Sequence, residues 1–219
     1  MIINKNFKKG VLWDIDGTLI LSEHLHDEAV IETLNSMGFK DYEDKLDMLG
    51  STWDRIWASV SGAPEQLAGF EDKVAQYYIE NIKTLKRRSC AVDFVKAFNK
   101  VGIVQAAVSN SKACIVHANL EYLGVKDMMK AIIIREDCKY GKPEPEPYII
   151  GAERVELSPR DCVTVEDSPT GAQSGKAAGA LSVFWPEKSE IQSEYCDYKI
   201  SDIMDVPWKD ILGIDIEIA

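Results

Sequence analysis

Val11-Leu12-Trp13-Asp14-Ile15-Asp16-Gly17-Thr18-Leu19 is the stretch whose reading decides the fold. Three apolar residues that fit a buried strand run into two carboxylates at alternate positions, and then into a Gly-Thr turn. In a strand, positions i and i+2 share a face, so Asp14 and Asp16 stand close together, where like charges repel unless a cation or proton intervenes. A hard cation such as Mg²⁺ is the natural counter-ion for clustered carboxylate oxygens. Asp, Gly and Thr also build ordinary strand-to-turn junctions, so the segment alone supports either reading. The surrounding chain has to decide.

Downstream of Val92, strand and helix patterns alternate. A helix through Phe94 to Asn99 ends near Gly102, and Ile103 to Val108 reads as a strand that continues into Ser109-Asn110-Ser111. A helix then runs to Leu123-Gly124, and a strand follows from Ala131 to Ile134. Pro143, Pro145 and Pro147 mark a loop, Tyr148 to Val155 a helix, and Cys162 to Val165 another buried strand. Ser168-Pro169 is a helix start and Gly179 a helix stop, with a last strand from Ala180 to Phe184. This alternation predicts an α/β fold with a doubly wound parallel sheet covered on both faces. Ligands of such sheets bind beyond the carboxyl ends of the strands. Polar residues stand at those ends: Asp14 and Asp16, Ser109 and Asn110, Glu166 and Asp167.

Between the first strand and this region, Ile20 to Arg88 is helical in pattern, with no strand expected. Ala29, Val30, Thr33, Leu34 and Met37 repeat at three and four, as do Trp53, Ile56, Trp57 and Val60, and then Leu67, Phe70, Val74, Tyr78 and Ile82. Such helices must bury their apolar faces against one another, which predicts an inserted all-helical domain. Its tryptophans read as core packing rather than a substrate cage. Lys86-Arg87-Arg88 reads as a solvated helix end, with a cationic rim as the alternative. The alternating tail Ile214 to Ile218 fits an edge strand or a partner contact.

Composition narrows the function. The 219 residues are 46% hydrophobic, enough for one ordinary domain and a smaller one, and the net charge of -11 leaves no basic face for nucleic acid or an anionic membrane. With no apolar run of membrane-spanning length and no apolar signal region after Met1 to Gly10, a cytoplasmic location is the expectation. Five cysteines, none in a C-x-x-C pair, read as reduced thiols.

Together, Asp14-Ile15-Asp16-Gly17-Thr18, Ser109, Gly141-Lys142-Pro143 and Glu166-Asp167 resemble, in order, the four motifs of the haloacid dehalogenase superfamily. The resemblance is to its helical-cap branch, which includes phosphoglycolate phosphatase and β-phosphoglucomutase. It implies a Rossmann-like catalytic core of residues 1–19 and 89–219 and a helical cap of residues 20–88. By the same resemblance, Asp14 attacks phosphorus to form an aspartyl phosphate, and Asp16 protonates the leaving oxygen and then takes a proton from water. Mg²⁺ is bound by the Asp14 carboxylate, the Asp16 backbone carbonyl and Asp167, with Glu166 close by or bound through water. Lys142 supplies positive charge to phosphate and nucleophile, and Ser109, Asn110 and nearby backbone N–H groups bind phosphoryl oxygens.

Departures from the pattern also inform. Dehalogenases of the superfamily lack the second aspartate, so Asp16 favours a phosphate substrate. Met48-Leu49-Gly50-Ser51-Thr52-Trp53 offers no Schiff-base lysine, which disfavours phosphonate cleavage. Leu21 replaces an acid common in relatives, while Glu23 and His26 match; His26 reads as a hinge or substrate contact, or as a structural imidazole. The cap glycine Gly50 has Lys45 before it but Ser51, not a basic residue, after it. This favours a phosphatase of a small phosphorylated metabolite, acting as monomer or homodimer, over a sugar phosphomutase. A non-catalytic binding protein on the same fold is disfavoured by the complete motif set.

Overall fold

The protein is described by a computed structural model covering residues 8–40, 42, 53–61 and 63–218. Lys45 and the Met48 to Thr52 stretch, singled out above, lie outside the described residues, as does the start of the N-terminal segment. The chain divides into two compact units, Met1–Leu21 with Lys86–Ala219, and Ser22–Leu85.

In chain order, β1 (Gly10–Trp13) and the short β2 (Ile20–Leu21) precede helices α1 (Glu23–Ser36), α2 (Trp53–Val60) and α3 (Leu67–Asn81). Then come β3 (Lys86–Arg87), α4 (Ala91–Lys100), β4 (Val104–Val108), α5 (Ala113–Leu123), β5 (Ala131–Ile133), α6 (Glu146–Arg154) and β6 (Cys162–Glu166). The chain continues through α7 (Pro169–Ala178), β7 (Leu181–Phe184), β8 (Tyr198–Lys199) and α8 (Trp208–Leu212).

The larger unit carries the six-stranded sheet, in the order β5-β4-β1-β6-β7-β8, and every pairing in it is parallel. Every residue of β1 is buried, because this central strand has a neighbour on each side and a covered face above and below. The register sets Trp13 beside Ala107 on one side and Val165 on the other, so β1, β4 and β6 end at one edge of the sheet. The predicted α/β parallel fold is therefore observed. Leu12, Ala106, Val108, Ile133, Tyr148 and Ala152 are among the buried residues that pack the helices onto the strands.

Local signals account for much of the helix placement. Ser168 caps α7 by accepting the Gly171 N–H at 3.1 Å, Pro169 occupies the first turn, and Gly179 ends the helix at φ +91°. Farther along α7, a Cβ on Gly175 would lie 2.4 Å from the Thr164 hydroxyl oxygen, so helix and strand approach as closely as they do because this residue has no side chain.

In the smaller unit, Leu25, Val30 and Leu34 of α1 and Phe70, Val74 and Tyr78 of α3 are buried, as the heptad-like spacing predicts. Trp57 is buried and stacks on Phe70 with ring centroids 4.9 Å apart, and its indole N–H donates to the Ala63 carbonyl at 2.8 Å. That is packing rather than an open cage. The His26 ring lies 4.6 Å from that of Tyr78.

Three expectations are corrected. The 20–88 stretch is not purely helical: β2 and β3 pair antiparallel, Ile20 with Arg87 and Leu21 with Lys86. The basic triplet does not itself end a helix: a 3-10 turn carries α3 on to Thr84, and Lys86-Arg87 then form a strand whose partner is remote in sequence. Two residues are too few for any periodic signal. The tail residues 214–218 are irregular rather than an edge strand, since β8 takes the sheet edge beside β7 and alternation without a ladder makes no strand.

Gly175→Ala is expected to destabilise the protein by about 1–3 kcal/mol through overpacking against Thr164. Denaturant unfolding checks this as a lower midpoint with an unchanged slope.

Candidate active site

Asp14 is the first residue past β1, and its N–H extends the ladder by donating to Val165 O at 3.0 Å. The chain then turns sharply: Ile15 O accepts the N–H groups of Thr18, Leu19 and Ile20 at 3.2, 2.8 and 3.2 Å. Gly17 makes that turn at φ +83°, and a Cβ there would lie 2.1 Å from Asp167 Oδ2. Only glycine allows both the conformation and the approach of the carboxylate.

Lys142, from the loop before α6, reaches into the same place with a side chain only 4% exposed. Its Nζ donates to Asp14 Oδ1 at 2.7 Å and Val108 O at 2.8 Å, and pairs with Glu166 Oε1 at 2.6 Å. Glu166 Oε1 also accepts the Tyr148 hydroxyl at 2.5 Å. Asn110 pins the lysine's main chain from outside, accepting the Lys142 N–H at 2.9 Å and donating to its carbonyl at 3.2 Å. The Asn110 side chain is therefore engaged with the loop. Asp16 is likewise engaged: its Oδ2 accepts from Ser111 Oγ at 2.8 Å and Ser109 Oγ at 3.2 Å, while Oδ1 accepts from Asn119 Nδ2 at 3.0 Å.

Oxygens of Asp14, Glu166 and Asp167 lie within 4.8 Å of one another. Burial, reinforced by the charges of Glu166 and Asp16 and opposed by Lys142, pushes the Asp14 carboxyl up to about 7. Asp167 is raised well above the carboxylate range by burial first and then by Asp14 and Glu166, with Arg88 and Lys142 opposing. Burial alone would lower Lys142, but Asp14 and Glu166 outweigh it and hold the ammonium charged. The buried Asp14 Oδ2 has no hydrogen-bond partner among the described residues. An orphaned anionic oxygen, two further carboxylates and a surplus of negative charge fit a hard divalent cation, which takes oxygen ligands.

Of the residues singled out from the sequence, Asp14, Lys142, Glu166 and Asp167 are thus brought together, and Asp16 and Ser109 meet each other beside them. Four participants escaped sequence reading. Ser111 repeats Ser109 at strand spacing, and Asn119 is a polar residue between apolar neighbours on α5; both signals were available. Tyr148 carried none. Arg88, in the basic triplet, is buried and donates to the carbonyls of Gly17, Trp185 and Pro186 at 2.8, 2.6 and 2.8 Å.

A family model described as haloacid dehalogenase-like hydrolase matches residues 8–179. Among curated proteins, the chain is 28% identical over 184 residues to fructose-1-phosphate phosphatase YqaB of Escherichia coli, covering 80% of this chain and 94% of that one. It is 28% identical over 197 residues to hexitol phosphatase A of the same organism, covering 78% and 80%. Among solved structures, CbbY from Rhodobacter sphaeroides in complex with phosphate superposes with a TM-score of 0.83 at 20% identity, over 94% of this chain and 100% of that one. Among the described residues, no helix is long and apolar enough to cross a membrane.

Two outcomes are expected of the metal-free protein. A carboxyl whose value is raised on folding binds its proton more tightly in the native state, so its contribution to stability falls as pH rises from the unfolded value of about 4 through the folded value. For Asp14 that window closes at about 7. Asp14→Asn should therefore raise the melting temperature above neutral pH by several degrees and leave it unchanged near the bottom of the window; an equal shift at both ends would contradict the assignment. A divalent cation that this cluster binds, added at roughly 100 times its dissociation constant, should stabilise the wild type by about 2.7 kcal/mol, and Asp167→Asn should abolish most of that gain in the same melting assay.

Proposed function

Because the chain belongs to the haloacid dehalogenase-like hydrolase family, we propose that it is a Mg²⁺-dependent phosphatase that hydrolyses the phosphate monoester of a small sugar or sugar alcohol through an aspartyl phosphate on Asp14. The observation that carries this reading is the Asp14 carboxylate itself: Oδ1 is anchored by Lys142, while Oδ2 is buried with no hydrogen-bond partner among the described residues. Lys142 holds the carboxylate in place, and its unpaired oxygen leaves it able to take a cation and to react.

Asp14 bonds to phosphorus through a carboxylate oxygen as the bond from phosphorus to the ester oxygen breaks, and Asp16 gives that ester oxygen a proton, so the alcohol departs neutral. Water then adds to phosphorus, Asp16 takes its proton, and the Asp14–phosphorus bond breaks to return the free carboxylate and inorganic phosphate. Lys142 orients the nucleophile and balances charge on the phosphoryl oxygens, and the Ser109 hydroxyl, which rests on Asp16 in the free protein, turns its single proton to them when phosphate binds. Glu166 keeps Lys142 in place from behind, itself held by Tyr148. Asp14, Asp167 and the Asp16 main-chain carbonyl would hold Mg²⁺, with Glu166 nearby. Bound there, the ion shields the nucleophile from the like charge of the phosphate and stabilises the transition-state oxygens.

The substrate class is supported by the two curated relatives, whose names specify phosphatases of fructose 1-phosphate and of hexitol phosphates. Those names also weigh for hydrolysis over transfer to a second sugar oxygen.

With Mg²⁺ present, the protein is expected to release phosphate from hexose and hexitol phosphates, to stop in EDTA, and to lose roughly 10⁴-fold or more of its kcat in Asp14→Asn. Transfer of the phosphoryl group between sugar positions, with no phosphate released, would favour a mutase. No turnover of any ester or transfer substrate would leave the binding-protein reading.

A further inference from the structure

Asp16 is held by three side chains from the same compact unit. Asn119 Nδ2 donates to its Oδ1 at 3.0 Å, and the hydroxyls of Ser111 and Ser109 donate to its Oδ2 at 2.8 and 3.2 Å. The arrangement is braced, because Ser109 Oγ accepts the Ser111 N–H at 2.9 Å. Asn119 is fully buried on α5, beside Ile115, Val116 and Leu120 of the same helix. An amide is costly there unless it is hydrogen-bonded, and asparagine forms helix less readily than leucine. The group it reaches is the carboxylate two residues beyond the nucleophile.

We infer that Asn119 and Ser111 are positioning residues for proton transfer by Asp16, a reading that rests on the proposed phosphatase chemistry. When Asp16 gives its proton to the ester oxygen, the bonding pair of the breaking bond stays on that oxygen and a carboxylate is left behind. Donors already aimed at both oxygens of Asp16 stabilise the carboxylate as it forms and keep it in place for the water that follows. Nucleophilic attack and phosphate binding use neither Asn119 nor Ser111. Removing the clasp therefore affects the step according to how much the leaving oxygen needs a proton. An alkoxide needs it; a p-nitrophenolate departs without it. Ser109 is unsuitable as a probe, since its hydroxyl also serves the phosphoryl oxygens.

The test compares kcat and KM on a hexitol phosphate and on p-nitrophenyl phosphate for the wild type, Asn119→Ala, Ser111→Ala, Asp16→Ala and the Asn119→Ala/Asp16→Ala double variant. Asn119→Ala should lower kcat on the alkyl ester about 10- to 100-fold, with KM and the aryl ester within about threefold. Ser111→Ala should act in the same direction, and it serves as the independent probe should Asn119→Ala not fold. In the Asp16→Ala background, loss of Asn119 should add no further decrease, as expected of residues acting as one unit. Equal losses on both esters, no loss on either, or effects that multiply in the double variant would overturn the clasp and leave the phosphatase reading intact. A wild type that hydrolyses neither ester, or an Asp14→Asn variant that keeps full activity, would overturn the phosphatase reading and the clasp with it.

Discussion

Three carboxylates crowded at the end of one sheet are the constraint on which this structure turns. Asp14, Glu166 and Asp167 approach within 4.8 Å in a largely dry environment, where their mutual repulsion is at its strongest. Lys142 answers part of it, with its ammonium between Asp14 and Glu166 at 2.7 and 2.6 Å. Arg88 answers another part: it is buried, lowered to about 10 chiefly by that burial, and still positively charged at neutral pH as it faces Asp167. What remains is an anionic surplus of clustered carboxylate oxygens, the kind of donor set a hard cation takes.

Room for these groups is made by absent side chains. A Cβ on Gly17 would collide with the Asp167 carboxylate, and one on Gly171 would lie 1.9 Å from Glu166 Oε2. The first turn of α7 can therefore pass over Glu166 while Ser168, its cap, points back toward that same carboxylate at 3.4 Å. Strand ladders hold the ends of β1, β4 and β6 level. The loops beyond are thus left to carry chemistry, not to hold the sheet together.

Arg88 joins the turn after β1 to the loop after β7 by satisfying three carbonyls at once while its guanidinium lies 3.7 Å from the centre of the Trp185 ring. A lysine could not reproduce this, because a planar guanidinium presents several donors in fixed directions and stacks on an indole. From the sequence, Arg88 looked like the last member of a solvated triplet. Its neighbours Lys86 and Arg87 are indeed exposed.

What the sequence alone determined is whatever depends on local rules. Alternating strand and helix signals specified a parallel sheet, because such strands need helical crossovers. Ser168, Pro169 and Gly179 marked the ends of α7 by capping chemistry, and motif order placed Asp14, Ser109 and Glu166-Asp167 at strand ends and Lys142 in a proline-marked loop. Only the tertiary structure decided which side chains share a charge or a proton. That Asn119 reaches Asp16 across 103 positions of chain, Tyr148 reaches Glu166, and Arg88 turns inward follows from strand register and helix packing. Those contacts act over a few ångströms in space between residues far apart in the chain, and no local pattern encodes them.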